Sequence, residues 1–156
     1  MDLPKRKSPR IPGYDYTSAN FYFITICTHE KKCIFGNPGE LNWMGKAAED
    51  NLLLISQQNP AVRLDKYVVM PNHIHMIMDF QKSGEADLNV VIGQYKMSVT
   101  KRIRQTIPEF QVWQRSYHDH VIRNQASYEK IWMYIENNPL KWEEDCFYVS
   151  ASKDER

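Results

Sequence analysis

Two spacings of apolar residues alternate along this chain, and each change of spacing marks the border of an element. Phe21-Tyr22-Phe23-Ile24-Thr25-Ile26-Cys27-Thr28 is dense in β-branched and aromatic side chains and predicts a strand. After the turn Gly36-Asn37-Pro38-Gly39, the residues Met44, Ala48, Leu52 and Ile55 recur at helical spacing, which predicts an amphipathic helix over 42–57 closed by Asn59-Pro60. Residues 61–80 read as a hairpin. Its arms are Tyr67-Val68-Val69-Met70 and His73-Ile74-His75-Met76-Ile77-Met78, with Pro71-Asn72 as the turn. A polar loop, 81–86, leads to a helix over 87–105, where Leu88, Val91, Ile92, Tyr95, Val99 and Ile103 form one stripe and Lys101 and Arg104 lie opposite. Pro108 ends it. Residues 117–123 predict a last strand, and Ser127 is placed to cap a helix from 128 to the Asn138-Pro139 boundary. The order β-α-β-β-α-β-α predicts an α+β chain: a ferredoxin-like split βαβ with a central antiparallel sheet and one additional C-terminal helix.

Length and composition narrow the setting. At 156 residues the chain is one ordinary domain, able to bury a core without disulfides or structural metal. Cys27, Cys33 and Cys146 form no C-x-x-C pair and point to a reducing, cytoplasmic setting, and no targeting or membrane-spanning segment is expected. The net charge of +1 hides a division: Lys5, Arg6, Lys7 and Arg10 are locally unopposed, as are Lys96, Lys101, Arg102 and Arg104, while acids gather at Glu143-Glu144-Asp145. Residues 1–20 are expected to be a basic, weakly ordered arm, 21–142 the functional domain and 143–156 a polar tail.

The hairpin carries the candidate chemistry. Strand alternation puts His73, His75 and Ile77 on one face and Ile74, Met76, Met78 and Phe80 on the other. The second set is a core face, so the imidazoles are expected on the opposite one, within reach of a substrate and forming half of a divalent-metal site. On the final helix Tyr134 and Asn138 lie one turn apart beside Ile131 and Ile135, so this phenol and amide either bond internally or face a cleft. Tyr95 sits on an apolar stripe and reads as core. His118-Asp119-His120 is a second alternating pair, and Trp113 and Arg115 read equally as a stacking pair for unpaired bases or as aromatic burial beside a turn.

Met70-Pro71-Asn72-His73-Ile74-His75, followed by the run from Val112 to Asn124 and by Tyr134-Ile135-Glu136-Asn137-Asn138-Pro139, resembles the single-tyrosine HUH transposases, in particular the branch associated with repetitive extragenic palindromes. The resemblance extends from about Arg10 through Trp142. It implies a DNA transposase and endonuclease that cleaves and rejoins single-stranded or hairpin DNA, with a divalent metal, Mg²⁺ or Mn²⁺, on His73, His75 and Asn138. It also implies Tyr134 as the nucleophile of a 5′-phosphotyrosine intermediate. That chemistry is coherent: a mixed N/O site leaves positions for phosphate oxygens, and a tyrosine ester keeps the bond energy that rejoining needs. His120 is a secondary active-site candidate, and Lys5, Arg6, Lys7, Arg10, Lys96, Lys101, Arg104 and Arg115 are candidate DNA contacts. A homodimer is compatible with this reading, and a non-catalytic DNA-binding regulator that keeps the fold is the alternative.

Overall fold

The computed structural model of the chain describes residues 20–144. β1 (Phe21–Cys27) is followed by a small hairpin, β2 (Gly36–Asn37) with β3 (Glu40–Leu41), and then by α1 (Trp43–Leu53) and α2 (Ile55–Gln58). Next come β4 (Val62–Met70), β5 (His73–Phe80), α3 (Leu88–Arg104), β6 (His118–Ile122), α4 (Gln125–Asn137) and a 3-10 helix, Asn138–Glu144. The four long strands form one antiparallel sheet in the order β4-β5-β1-β6, with the hairpin partners β4 and β5 side by side and β1 inserted between β5 and β6. This is the split βαβ plan that the alternation of periods predicts, with α4 added after it. No helix among the described residues is long and apolar enough to cross a membrane.

One face of the sheet meets α1 and α3. Tyr22, Ile24, Ile26, Ile74, Met76, Met78 and Phe80 pack there against Ala48, Leu52 and the whole predicted α3 stripe. The Tyr95 hydroxyl donates to the Ala48 carbonyl at 2.9 Å, which makes Tyr95 a satisfied core residue whose burial holds its phenol well above the usual range. Gly45 lets α1 approach the preceding chain, since a Cβ there would lie 2.2 Å from the Phe35 carbonyl oxygen.

The opposite face is also covered, which the sequence reading did not anticipate. Ile77 and Ile122 meet Ile135 of α4, with Phe21, Phe23, Val68, Tyr128, Ile131 and Trp132 around them. α4 therefore covers the part of this face over β4 and β5, so His73 and His75 are roofed rather than open, while β6 stays partly uncovered.

Element borders moved where local chemistry outweighed the pattern. The 42–57 helix divides at Leu54, just after Asn51 turns its amide back onto the Ala47 carbonyl at 2.9 Å, a bond that bends helices. α4 starts three residues earlier than expected because Asn124, not Ser127, is its cap: Asn124 Oδ1 accepts from the Ser127 amide at 2.8 Å. Asn138 also keeps a helical conformation (φ −57°, ψ −45°) although a proline follows. Pro139 has no N–H to continue α-helical bonding, so the chain tightens directly into the 3-10 helix and Asn138 stays on the face of Tyr134.

Candidate active site

β5 places His73 and His75 on the α4 side of the sheet, α4 places Tyr134 against His75, and Asn138 follows one turn later at the start of the 3-10 helix. His73, His75 and Asn138 are 0%, 2% and 3% exposed, whereas Tyr134 is 42% exposed. The expectation of imidazoles on an accessible face is corrected: both are buried, with the rings of Tyr134 and Trp142 against them, and of the site residues Tyr134 is the exposed one. The imidazole centroids of His73 and His75 lie 4.5 Å apart, that of His75 lies 5.2 Å from the Tyr134 ring, and that of His73 lies 6.0 Å from the Trp142 ring. The Tyr134 hydroxyl is 3.5 Å from His75 Nε2, at the limit of a hydrogen bond.

Two neighbours orient the imidazoles. Asn72 is fully buried and its Nδ2 donates to the Lys31 carbonyl at 3.1 Å, which fixes Oδ1 as the atom 2.8 Å from His73 Nδ1. An amide oxygen only accepts, so His73 Nδ1 carries the proton and Nε2 keeps its lone pair. Thr25 Oγ1 lies 2.8 Å from His75 Nδ1, directly across the β1–β5 register, and can accept from Nδ1–H in the matching tautomer. Sequence reasoning named Asn72 only as a turn residue and missed Thr25. The motif itself was the one signal for Asn72, and Thr25 becomes visible only once the register is known.

The donor set suits a divalent cation. Asn138 Oδ1 is a buried oxygen that accepts no hydrogen bond, a costly state in the absence of a ligand. No group of three or more His, Cys, Asp or Glu that could hold a metal occurs among the described residues. Asn138, one turn on from Tyr134, adds an uncharged amide oxygen to the two imidazole nitrogens, a mixed N/O donor set of the kind that suits a divalent cation.

Other candidates are dispersed. Phe23 of β1 pairs with Ile77 and with His120, and Thr25 pairs with His75 and with His118, so both β6 histidines stand on the His73–His75 face, and both are exposed. The α3 cations lie on the other layer. Lys96 donates to the Gln114 and Ser116 carbonyls at 2.9 Å each, Arg104 donates to the Phe110 carbonyl at 3.0 Å, and Lys101 is exposed on α3, away from the imidazoles. Trp113 takes the buried alternative, packing on Phe35 and Tyr95 and donating from Nε1 to the Lys96 carbonyl at 3.0 Å. Arg115 is exposed, and Lys5, Arg6, Lys7 and Arg10 lie outside the described residues.

Comparison with known proteins gives concordant relatives. Residues 19–138 match the family model described as "Transposase IS200 like". An uncharacterized protein of Haemophilus influenzae is 36% identical over 168 residues, covering 92% of this chain and 93% of its own length. Among solved structures, a REP-associated tyrosine transposase bound to a REP hairpin is similar with a TM-score of 0.65 at 20% identity, covering 90% of this chain and 74% of that one. A candidate transposase from Deinococcus radiodurans gives 0.55 at 18% identity, covering 82% of this chain and 97% of that one. At those identities the two structures show a shared fold.

Proposed function

The chain belongs to the IS200-like transposase family, and from that premise we propose that it is a metal-dependent, single-tyrosine DNA endonuclease and strand transferase acting on single-stranded or hairpin DNA in the cytoplasm. The observation that carries this reading is one exposed phenol beside His75, two oriented imidazoles, and an unsatisfied buried amide oxygen one turn on from the phenol, drawn from β5, α4 and the first residue of the 3-10 helix. His73 and His75 through Nε2, and Asn138 through Oδ1, would hold Mg²⁺ or Mn²⁺, which would supply Lewis-acid polarisation of the scissile phosphate.

Tyr134 is the nucleophile. Its oxygen forms a bond to phosphorus, the bond from phosphorus to the 3′ oxygen breaks, and that oxygen leaves with the electron pair and takes a proton from solvent to become a free 3′ hydroxyl. The phenolic proton passes to solvent, which the exposure of Tyr134 permits. Phe23 and His75 hold the phenol ring from the sheet side, so the attacking oxygen is positioned before the DNA arrives. The reverse step, attack of a 3′ hydroxyl on the phosphotyrosine, rejoins strands without an external energy source. Lys5, Arg6, Lys7, Arg10 and Arg115 serve as phosphate contacts. Incubating the protein with Mn²⁺ and a hairpin-forming oligonucleotide tests the reading: a protein–DNA adduct that survives denaturation supports it, and cleavage to free ends with no adduct contradicts it.

A regulator that had lost cleavage would keep the same roofed site, so that alternative is separated by the adduct alone. Nothing in the donor set favours it.

A further inference from the structure

α4 starts just past the end of β6 and runs over β5 and β4, so it covers one part of the catalytic face and leaves His118 and His120 exposed on the rest. These two imidazoles stand about 7 Å apart along one strand face, at ~3.3 Å rise per residue. An arginine brackets each end of the strip. Of the five arginines among the described residues, Arg63 pairs with Asp65 and Asp79, Arg102 with Asp50, and Arg104 with the Phe110 carbonyl. Arg115 and Arg123 are the two that engage no neighbour among the described residues, and both are exposed.

Arg115 is presented by a loop tied down on every side. Gln114 N donates to the Cys27 carbonyl at 2.9 Å, Lys96 holds the carbonyls of Gln114 and Ser116, and the Tyr117 hydroxyl donates to Asn89 at 2.6 Å. Ser116 is held at φ +70°, a conformation unfavourable for a side-chain-bearing residue. So much fixation around an unengaged arginine suits a pre-organised contact better than a solvated surface charge. Cys27 is the strand partner of His73, so β1 alone separates the end of this loop from the imidazole pair. At the other end Arg123 borders a cleft of about 240 Å³ lined by Phe21, Ile122 and Tyr128 together with Asn124 and Gln125. Aromatic and amide groups next to a cation fit a nucleobase and its phosphate.

We propose that the uncovered strip of β6, from Arg115 to Arg123, seats an unpaired DNA segment that leads to Tyr134, with both arginines on backbone phosphates, His118 and His120 beneath the strand, and one base in the Phe21–Tyr128 cleft. The inference rests on the transposase reading and names where its substrate lies. The test is fluorescence anisotropy of the full chain with a labelled, mixed-sequence single-stranded oligonucleotide in EDTA, over a series of salt concentrations. Arg115→Ala and Arg123→Ala should each weaken binding several-fold at low salt and flatten the log–log salt slope by about 0.7. Arg115→Lys should restore the slope, and Arg102→Ala, on the far layer, should match the parent. An arginine-to-alanine variant with the parent's slope, or an equal flattening in Arg102→Ala, overturns the proposal. A parent that shows the arginine dependence but never forms an adduct overturns the transposase reading and leaves the strip standing.

Discussion

At the scale of single residues, the site is a problem of protons and orphaned atoms. Asn72 dictates the His73 tautomer and leaves its Nε2 lone pair free, while the Thr25 hydroxyl, 2.8 Å from His75 Nδ1, can accept from the same tautomer of His75. The alternation of β5 makes the shared face of the histidines legible in sequence. Their burial is not legible, because it depends on where α4 and Trp142 come to rest. That changes what mutation should do: His73→Ala and His75→Ala should abolish Mn²⁺ binding by calorimetry and also lower metal-free stability by roughly 1–3 kcal/mol, since each leaves a buried partner unsatisfied. Unaltered Mn²⁺ affinity in both variants would contradict the assignment. Asn138→Leu should act in the opposite sense on stability. Removing the desolvated Oδ1 should stabilise the metal-free protein by about 1 kcal/mol in urea titrations while metal binding is lost. A metal-free protein destabilised by this change would show that Asn138 is structural.

At the scale of elements, the position of α4 decides whether a site exists. A bulge at Asp65 shifts the β4 register between Leu64 and Lys66, so two consecutive side chains both reach α4. Tyr128 donates to Asp65, while Lys66 pairs with Glu136 and lies 4.0 Å from the centroid of the Trp132 ring. These contacts supplement a small apolar seat in which Ile135 is the one fully buried residue of α4. The hydrogen bond to Asp65, with burial second, raises the Tyr128 phenol from 10 to about 12. A raised phenol favours the protonated folded state, so its contribution is complete below pH 10 and fades as pH climbs through about 12. Denaturation midpoints should therefore fall across that window in the parent and fall less in Tyr128→Phe; an identical alkaline loss in both would remove Tyr128 from the account. The strong periods of β1, β5 and α3 gave those elements away in sequence. The bulge was hidden because Arg63-Leu64-Asp65-Lys66 has no periodicity that marks an extra residue, and the α4 start was hidden because both Asn124 and Ser127 carry capping chemistry.

At the scale of the whole molecule, one sheet separates two jobs. Its α1–α3 side is the main apolar core, and its α4 side is a thinner layer that holds the candidate site. The order of elements made this plan readable, since a split βαβ plus one helix has few ways to pack. Where the basic residues lie was not readable from local charge: the α3 strip is unopposed in sequence yet sits on the layer away from the imidazoles, with Lys96 bracing a loop. The central claim is that α4 carries the nucleophile across the sheet to the imidazole pair. Mass spectrometry of the peptide trapped on a cleaved oligonucleotide tests it most directly. The account predicts a 5′-phosphate joined to Tyr134, a free 3′ hydroxyl on the released strand, and no adduct from Tyr134→Phe although that variant still binds DNA. Attachment at Tyr117 or Tyr128, or cleavage by Tyr134→Phe at the parent's rate, would contradict it.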